Sequence, residues 1–227
     1  MYYGIAVYSI GIFVPKKLVL CSDTHEMHSR LSWPEGGILG HAGDFTMIGR
    51  SERIEEFGDW LRDSPFCAIV IIAGNPDILF QRKPEKARKL LLKHDKTHYL
   101  EDTGCTIDGI SFYGTPWQPE FGYGWAFTLS AEEELKKKWQ SIPSDVQVLI
   151  THGPTAGILD FTVDRNHAGS ASLLAEISQR IKPQLHLFGH IHEGHGICRI
   201  RETIFVNASI CNPNYLPMYT PLILESS

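Results

Sequence analysis

The chain has 227 residues, of which 43% are hydrophobic and 21% are charged, as in globular proteins with a sizeable core. Its formal net charge of −5 argues against bulk nucleic-acid binding, which uses a basic face. The five cysteines are scattered and form no C-x-x-C pair, which indicates a reducing, cytoplasmic compartment rather than a disulfide framework. No linker or internal repeat interrupts the chain, so we predict a single domain over residues 1–227.

The first predicted element is the apolar opening "MYYGIAVYSIGIFVPKK" (1–17). Its apolar part is only about 15 residues long, which is too short to cross a bilayer. It also lacks the basic residue that precedes the apolar part of a signal peptide. We therefore expect an early strand there and no membrane partner.

Strands and helices alternate along the rest of the chain, which predicts an α/β protein with buried sheets. Apolar runs closed by polar turns predict strands, and amphipathic segments that start at Ser or Pro predict helices. In chain order we predict a strand at 17–23, a helix at 51–63 capped by Ser51, a strand at 67–74, a helix at 84–94, a strand at 109–117, a helix at 130–139 with a Ser130–Glu133 capping box, a strand at 145–153, a helix at 170–181, a strand at 184–192, and hairpin strands in the C-terminal third.

The apolar strands end in Asp, Asn or His. The strand C-termini of open α/β sheets converge on a ligand crevice, so these turns can meet although they lie about 170 residues apart. A lone histidine at a strand end is usually structural, but five such ends together indicate a mixed N and O ligand set for divalent metals. Seven ligands suit two ions that share a bridging carboxylate. The candidate ligands are Asp23, His25, Asp44, Asn75, His152, His190 and His192.

The motifs Asp-x-His, Gly-Asp, Gly-Asn, His-Gly and Gly-His-x-His, in this order, resemble the calcineurin-like metallophosphoesterase superfamily. The flanks "HAGDFT", "GTPWQPEF", "LITHGPTAGILD" and "FGHIHEGHG" resemble its metallophosphoesterase-domain-containing (MPPED-type) branch. The resemblance implies a four-layer α-β-β-α sandwich of two mixed sheets, with a dinuclear site for Mn²⁺, Fe²⁺ or Zn²⁺ at the strand ends. It also implies phosphoester hydrolysis by a hydroxide that bridges the two ions.

The resemblance divides the ligands between the two ions. It implies Asp44 as the bridge, which would offset the repulsion between two dications. It assigns Asp23, His25 and His192 to the first ion, and Asn75, His152 and His190 to the second.

The sequence departs from the family pattern at "GNPD" (74–77), where Pro76 stands in place of the usual catalytic histidine. Proline cannot protonate a leaving group, and such help is worth about 10²–10⁴-fold when the leaving group is poor. A proline also pushes the residue before it, here Asn75, toward extended conformations. His28, three residues after His25, is a candidate substitute, although the favoured interpretation is a solvent-exposed loop histidine.

Candidate substrate contacts surround these motifs. The aromatic loop "TPWQPEFGYGWAFT" (115–128) includes Trp117, which could stack on a base or simply pack the loop onto the body. The loop 153–170 carries Arg165 and His167, which could reach a phosphate or lie in solvent. The remaining histidines beside the ligands, which we interpret as outer hydrogen-bond partners or structural groups, are His41, His186 and His195.

We therefore expect a dimetal phosphodiesterase that acts on small nucleotides or activated diesters, with reduced activity because of Pro76. The alternative from another class is a catalytically impaired nucleotide-binding or scaffold protein. A protein phosphatase is a third interpretation, which the short chain and its flanks disfavour. The sequence does not specify the oligomeric state.

Overall fold

The structure, a computed structural model, describes residues 7–10 and 17–226, whose strands form two six-stranded sheets and a two-stranded ribbon. The strands are β1 (Val7–Ile10), β2 (Lys17–Cys21), β3 (Ile38–His41), β4 (Ala68–Ile71), β5 (Thr97–Tyr99), β6 (Thr103–Ile107), β7 (Ile110–Thr115), β8 (Gln118–Pro119), β9 (Thr128–Leu129), β10 (Val148–Thr151), β11 (Leu185–Phe188), β12 (Gly196–Ile200), β13 (Thr203–Asn207) and β14 (Leu222–Ser226). The predicted early strand is present as β1, while residues 1–6 and 11–16 lie outside the described residues.

Both large sheets are mixed. The first has the order β1-β14-β2-β3-β4-β5 and the second has the order β12-β13-β11-β10-β7-β6. Strands β2 to β5 are parallel to one another, and so are β7, β10, β11 and β13. Because parallel strands end at the same edge of a sheet, the polar turns that follow them are gathered there.

The four predicted helices are present with small differences at their ends, together with a short helix at Ile78–Arg82 that was not predicted. They are α1 (Ser51–Asp63), α2 (Ile78–Arg82), α3 (Pro84–Leu91), α4 (Glu132–Gln140) and α5 (Ala171–Glu176), which continues as a π-helical turn over Ile177–Ile181. Among the described residues, none of the helices combines the length and the apolar character that a membrane crossing requires.

Two predicted helix caps are wrong. Ser51 is the first residue of α1, and the capping position falls to Arg50, which makes no side-chain cap. Helix α4 begins at Glu132 after Ala131, so the Ser130–Glu133 pair is out of register for a capping box. The three glutamates in the first turn of α4 instead suit the positive end of the helix dipole.

Alternate residues of each central strand face opposite layers. Leu18 and Leu20 of β2 lie in the core between the two sheets, whereas Val19 and Cys21 face a second core under α1 and α3. A third core lies between the second sheet and the pair α4 and α5. This arrangement confirms the four-layer α-β-β-α sandwich of two mixed sheets.

The C-terminal third is a hairpin only in part. Strands β12 and β13 pair antiparallel, as predicted, but β14 lies in the first sheet, antiparallel to β2. Leu222 and Leu224 point into the core between the sheets, and Ile223 points into the helix-covered core. The sequence of a strand buried on both faces does not indicate which strand it pairs with. The prediction of a C-terminal hairpin was therefore wrong for β14.

Candidate metal centre

The strand-end loops are unusually tight where the two sheets meet. A side-chain carbon at Gly74 would collide with the Asp44 carboxylate, and one at Gly189 would collide with that of Asp23. The loops therefore depend on glycine to bring the acidic groups together. Several candidate ligands have left-handed backbones, which Asp and His adopt more readily than most residues: Asp23 (φ 53°), His25 (φ 41°), Asp44 (φ 59°) and His190 (φ 67°).

The first group of candidate ligands comprises Asp23, His25, Asp44 and His192, whose ligand atoms all lie within 4.8 Å of one another. The Nε2 atoms of His25 and His192 are 3.2 Å apart. The Nε2 atom of His192 is also 3.2 Å from Oδ1 of Asp23. All four residues are buried, so these atoms converge on one small, enclosed space.

The second group comprises Asp44, His152 and His190, and His152 connects it to Asn75. The Nε2 atom of His152 lies 3.0 Å from Oδ1 of Asp44 and 3.0 Å from the amide Oδ1 of Asn75. Asp44 thus faces both groups, since its other oxygen, Oδ2, is 3.7 Å from Nε2 of His25. This is the geometry of a carboxylate placed between two ion positions.

Three of the histidines are oriented by backbone carbonyls. The Nδ1–H groups of His25, His152 and His192 donate to the carbonyls of Thr46, Ala42 and Asn212 at 3.3, 2.8 and 2.9 Å. A carbonyl can only accept, so each Nε2 lone pair is free to face the centre. Ligand histidines are usually fixed in this way.

The acidic and basic groups are strongly coupled. Burial alone would raise the pKa of Asp23, but the hydrogen bond and charge of His192 hold it well below the ordinary value. Burial opposes protonation of His152, yet the charge of Asp44 raises its pKa to about 9. The centre therefore concentrates negative charge that protonated histidines balance when no cation does so.

The donor set fits two divalent cations. When His152 is neutral and its Nε2 lone pair faces the centre, the buried Oδ1 atom of Asp44, 3.0 Å away, has no donor among the described residues, which is costly unless a cation binds there or a water donates to it. Imidazole nitrogen with carboxylate and amide oxygen suits borderline metals such as Mn²⁺, Fe²⁺ and Zn²⁺. The two groups thus form a candidate dinuclear site.

Pro76 is buried and leaves Asn75 in place. The side chain of Asn75 still reaches His152, and its carbonyl accepts from Ala126 N at 3.0 Å. The next residue, Asp77, is fully buried and accepts a hydrogen bond from the backbone of Asp44. Sequence reasoning gave Asp77 no role, although it stood inside the "GNPD" motif.

Trp117 is held in place by contacts with neighbouring side chains. Its Nε1–H donates to Asp102 at 2.9 Å, the Lys138 ammonium lies 4.1 Å from its ring centroid, and Phe127 packs edge-on at 5.6 Å. These contacts account for the ring without a substrate. They favour the second of the two interpretations of this residue.

Phe121, another ring of the same loop, lies beside the candidate metal centre. Phe121 is 51% exposed, and its ring centroid lies 4.7 Å from that of His190. Trp125 stacks beside it at 6.2 Å. The aromatic loop therefore does present a ring to the candidate site, but it is Phe121 rather than Trp117.

The loop 153–170 is organised by its own contacts. Buried Asp160 accepts from Nδ1 of His167 at 2.7 Å and from Gly157 N at 2.9 Å. Arg165 lies in an exposed turn, where its amide donates to the carbonyl of Thr162 at 2.9 Å. These contacts shape the loop, and a contact of His167 or Arg165 with substrate stays a prediction.

His28 packs away from the two groups of ligands. Its ring lies 4.9 Å from Phe57 and 5.1 Å from Trp60, and burial lowers its pKa to about 4. The apolar cluster against α1 thus accounts for His28, which argues against it as a substitute for the missing histidine.

The three histidines that flank the candidate ligands contact neighbouring loops and strand ends. His41 contacts Thr24 Oγ1 at 3.0 Å, His186 contacts Thr151 Oγ1 at 2.8 Å, and Nδ1 of His195 donates to the Ser209 carbonyl at 2.8 Å. These contacts support the loops that carry the ligands. They are not hydrogen bonds to the ligand histidines, since His25, His152 and His192 donate to backbone carbonyls.

The chain is similar to known proteins over most of its length. Residues 16–194 match the family model described as calcineurin-like phosphoesterase. Human metallophosphoesterase domain-containing protein 1 is 36% identical, and the match covers 92% of this chain and 70% of that protein. A UPF0046 protein of Caenorhabditis elegans is also 36% identical, with coverage of 91% and 74%.

Solved structures share the fold. The phosphopantetheinyl hydrolase of Mycobacterium tuberculosis aligns with a TM-score of 0.57 at 15% identity and covers 88% of this chain and 90% of its own. A protein of Thermus thermophilus aligns with a TM-score of 0.60, also at 15% identity, over 85% and 88%. The family model, the relatives and the buried Asp–His groups agree, and the chain belongs to the calcineurin-like phosphoesterase family.

Proposed function

We propose that this metal-dependent phosphoesterase is a phosphodiesterase that acts on small nucleotides or activated diesters. The observation that carries the proposal is the position of Asp44, whose Oδ2 faces His25 and whose Oδ1 faces His152. A carboxylate in that position supports two cations a few ångströms apart, the arrangement that clamps a phosphoryl group.

Two divalent ions, when bound, would lower the pKa of a water and neutralise charge on the phosphoryl oxygens. The chain's own residues fix where this happens. Asp44 would lie between the two positions, with Asp23, His25 and His192 on one side and Asn75, His152 and His190 on the other. Because His25, His152 and His192 are held by backbone carbonyls, little reorganisation is needed when a substrate binds.

The substrate's organic group would stack on Phe121. This ring is half-exposed and touches His190, so a phosphoester at the second group would carry its neighbouring base or aryl ring within reach. Stacking of a base on an aromatic ring is worth about 1–3 kcal/mol. A nucleotide or an aryl diester fits this arrangement better than a phosphate ester without a flat group.

Pro76 limits which leaving groups are expelled. It has no side-chain proton donor, and His28 is packed against α1. Diesters with low-pKa leaving groups need little protonation, so they should be the better substrates. Pro76 also favours the second candidate function, in which the chain binds a nucleotide at the two ions and does not turn it over.

One preparation tests both candidates. The metal content is measured on protein loaded with Mn²⁺, and the same sample is assayed with bis(p-nitrophenyl) phosphate and with a cyclic nucleotide. We expect two ions per chain and clear turnover of the activated diester. Two ions with nucleotide binding and no turnover of either diester would reject the enzyme and leave the binding protein. Fewer than two ions at saturation would reject the dinuclear centre itself.

A further inference from the structure

The ring of Tyr215 lies against two of the candidate metal ligands. Its centroid is 4.8 Å from that of His25 and 5.4 Å from that of His192, edge-on to both. Both histidines are buried, yet Tyr215 is 46% exposed. Its side chain therefore lies between the buried first group and solvent.

The loop that carries Tyr215 is fixed to the same ligands. The carbonyl of Asn212 accepts from Nδ1 of His192 at 2.9 Å and from Tyr215 N at 2.8 Å. The amide oxygen of Asn212 accepts from Asn214 N at 3.0 Å and from Leu216 N at 3.1 Å. One residue thus orients a candidate ligand and sets the position of the tyrosine.

The backbone of Tyr215 is itself unusual. Its φ of 58° is in the left-handed region, which bulky residues rarely adopt. Such conformations persist where the surrounding structure holds them, and they cluster at ligand clamps. Phe121 occupies the corresponding place on the second group, against His190, so each group has one exposed ring beside it.

The two rings differ in chemistry. Phe121 offers only a face, whereas Tyr215 adds a hydroxyl. A tyrosine hydroxyl is protonated at neutral pH and can donate a hydrogen bond. The centroid of the ring that carries it lies 4.8 Å from that of His25 and 5.4 Å from that of His192. A phosphoryl group held at the first group would lie beside this ring.

We propose that Tyr215 contacts the substrate and that its hydroxyl donates a hydrogen bond to a phosphoryl oxygen of the bound phosphoester. This inference rests on the proposed function and adds a residue to it. Because Pro76 supplies no proton to the leaving oxygen, stabilisation of the transition state depends more on the groups that contact the phosphoryl oxygens, and another fixed donor has value there. A preorganised neutral donor stabilises that charge without reorganisation.

The test is Tyr215→Phe, which keeps the ring against His25 and His192 and removes only the hydroxyl. Its control is Tyr219→Phe, because Tyr219 stacks on His195 at 4.0 Å and, among the described residues, its ring packs against none of the candidate ligand histidines. Each full-length variant is loaded with Mn²⁺, and three quantities are measured: bound Mn²⁺, the Kd of inorganic phosphate by calorimetry, and kcat and KM for bis(p-nitrophenyl) phosphate.

We expect Tyr215→Phe to bind Mn²⁺ like the wild type, to bind phosphate about 10-fold more weakly, and to lose about 10-fold or more in kcat with a smaller change in KM. Tyr219→Phe should match the wild type in all three. Unchanged phosphate affinity in Tyr215→Phe would overturn the inference, and so would a loss of Mn²⁺, since the tyrosine would then act only on the ligands.

The phosphate measurement separates this inference from the proposed function. If the wild type binds phosphate but turns over no diester, the phosphodiesterase is rejected, and the affinity difference still decides the role of Tyr215. If Mn²⁺-loaded wild type does not bind phosphate, the inference is overturned as well.

Discussion

The carboxylate of Asp77 holds the loop that carries Asp44, since its Oδ2 atom accepts a hydrogen bond from the Asp44 amide at 3.0 Å. The same oxygen accepts from Gly74 N at 2.9 Å. The other oxygen, Oδ1, accepts from the amide and hydroxyl of Thr46 at 3.0 and 2.7 Å. Asp77 thus ties the loop of Asp44 to the loop of Asn75, although it is not itself a candidate ligand.

Replacing Asp77 by alanine should therefore weaken metal binding. Loss of an outer partner typically costs about 10–100-fold in metal affinity, and we expect a loss in that range for Mn²⁺ in Asp77→Ala. Asp77→Asn should lose less, because its amide oxygen can still accept from one side. The two Kd values are obtained by Mn²⁺ titration, and equal affinity in wild type and Asp77→Ala would contradict the expectation.

Asp44→Asn should remove one of the two ions and most of the activity. The substitution deletes the charge that offsets the repulsion between two dications while keeping the shape of the side chain. Asp108→Asn is a matched control, because Asp108 is exposed and shares the left-handed backbone of Asp44, with φ values of 51° and 59°. The assignment of Asp44 is wrong if elemental analysis finds the same Mn²⁺ content in all three proteins.

Pro76→His should restore activity on poor leaving groups. Because Asn75 already reaches His152, the substitution should act through protonation rather than through the ligand. We expect the rate on a cyclic nucleotide to rise by about 10-fold or more and the rate on bis(p-nitrophenyl) phosphate to change little. An equal gain on both substrates, with higher metal occupancy, would show instead that the proline acts on the backbone of Asn75.

Phe121→Ala should reduce the preference for a nucleotide over inorganic phosphate. Loss of the ring should remove about 1–3 kcal/mol of the difference in binding free energy, measured by calorimetry on Mn²⁺-loaded protein. Trp117→Phe is the comparison, since it loses the hydrogen bond to Asp102 and should lower stability while keeping the preference. The reverse pattern would restore Trp117 as the base-binding residue.

The stability of the metal-free protein should fall in mild acid, in part because of His186. Burial lowers the pKa of this residue from 6.5 to about 3, so the unfolded chain takes up the proton first. The contribution of His186 is complete above pH 6.5 and is lost as the pH falls toward 3, by up to about 1.4 kcal/mol per pH unit.

His186→Gln tests this dependence, because glutamine can donate to Thr151 and does not titrate. The free energy of unfolding is measured in urea at several pH values with a chelator present. As the pH falls, the free energy of unfolding should decrease more in the wild type than in His186→Gln. Parallel pH profiles would mean that His186 does not titrate between the two states.

The proximity of the candidate ligands was predictable because its signal is local. Each candidate ligand follows an apolar run, and parallel strands bring such turns to one edge of a sheet. Asp23 and His192, which are 169 positions apart in the numbering, thus come to lie 3.2 Å from each other. The hydrogen-bond partners of the ligand histidines could not be predicted. They are backbone carbonyls, such as that of Asn212, and every residue has one.

The sequence could not predict which ring of the aromatic loop faces the candidate metal centre. Trp117 and Phe121 lie four residues apart in one loop, and composition favours either as a stacking ring. Which of them faces His190 depends on the path of the loop, which the Trp117–Asp102 hydrogen bond and the Lys138 contact fix. Tertiary contacts also decided the helix caps and the partner of β14, and no local pattern contains them.

The place of β14 between β1 and β2 has a consequence for how the protein acquires its ions. The hydroxyl of Ser209 donates to Asp23 across 186 residues of chain, and β2 needs β14 as a neighbour. Contacts between residues that are far apart in the chain form late in folding. Closing the long loop between them costs conformational entropy before the contact stabilises the fold. The surroundings of Asp23 are therefore complete only once β14 has joined β2 and the loop that carries Ser209 is in place, so we expect the site of the first ion to form late in folding.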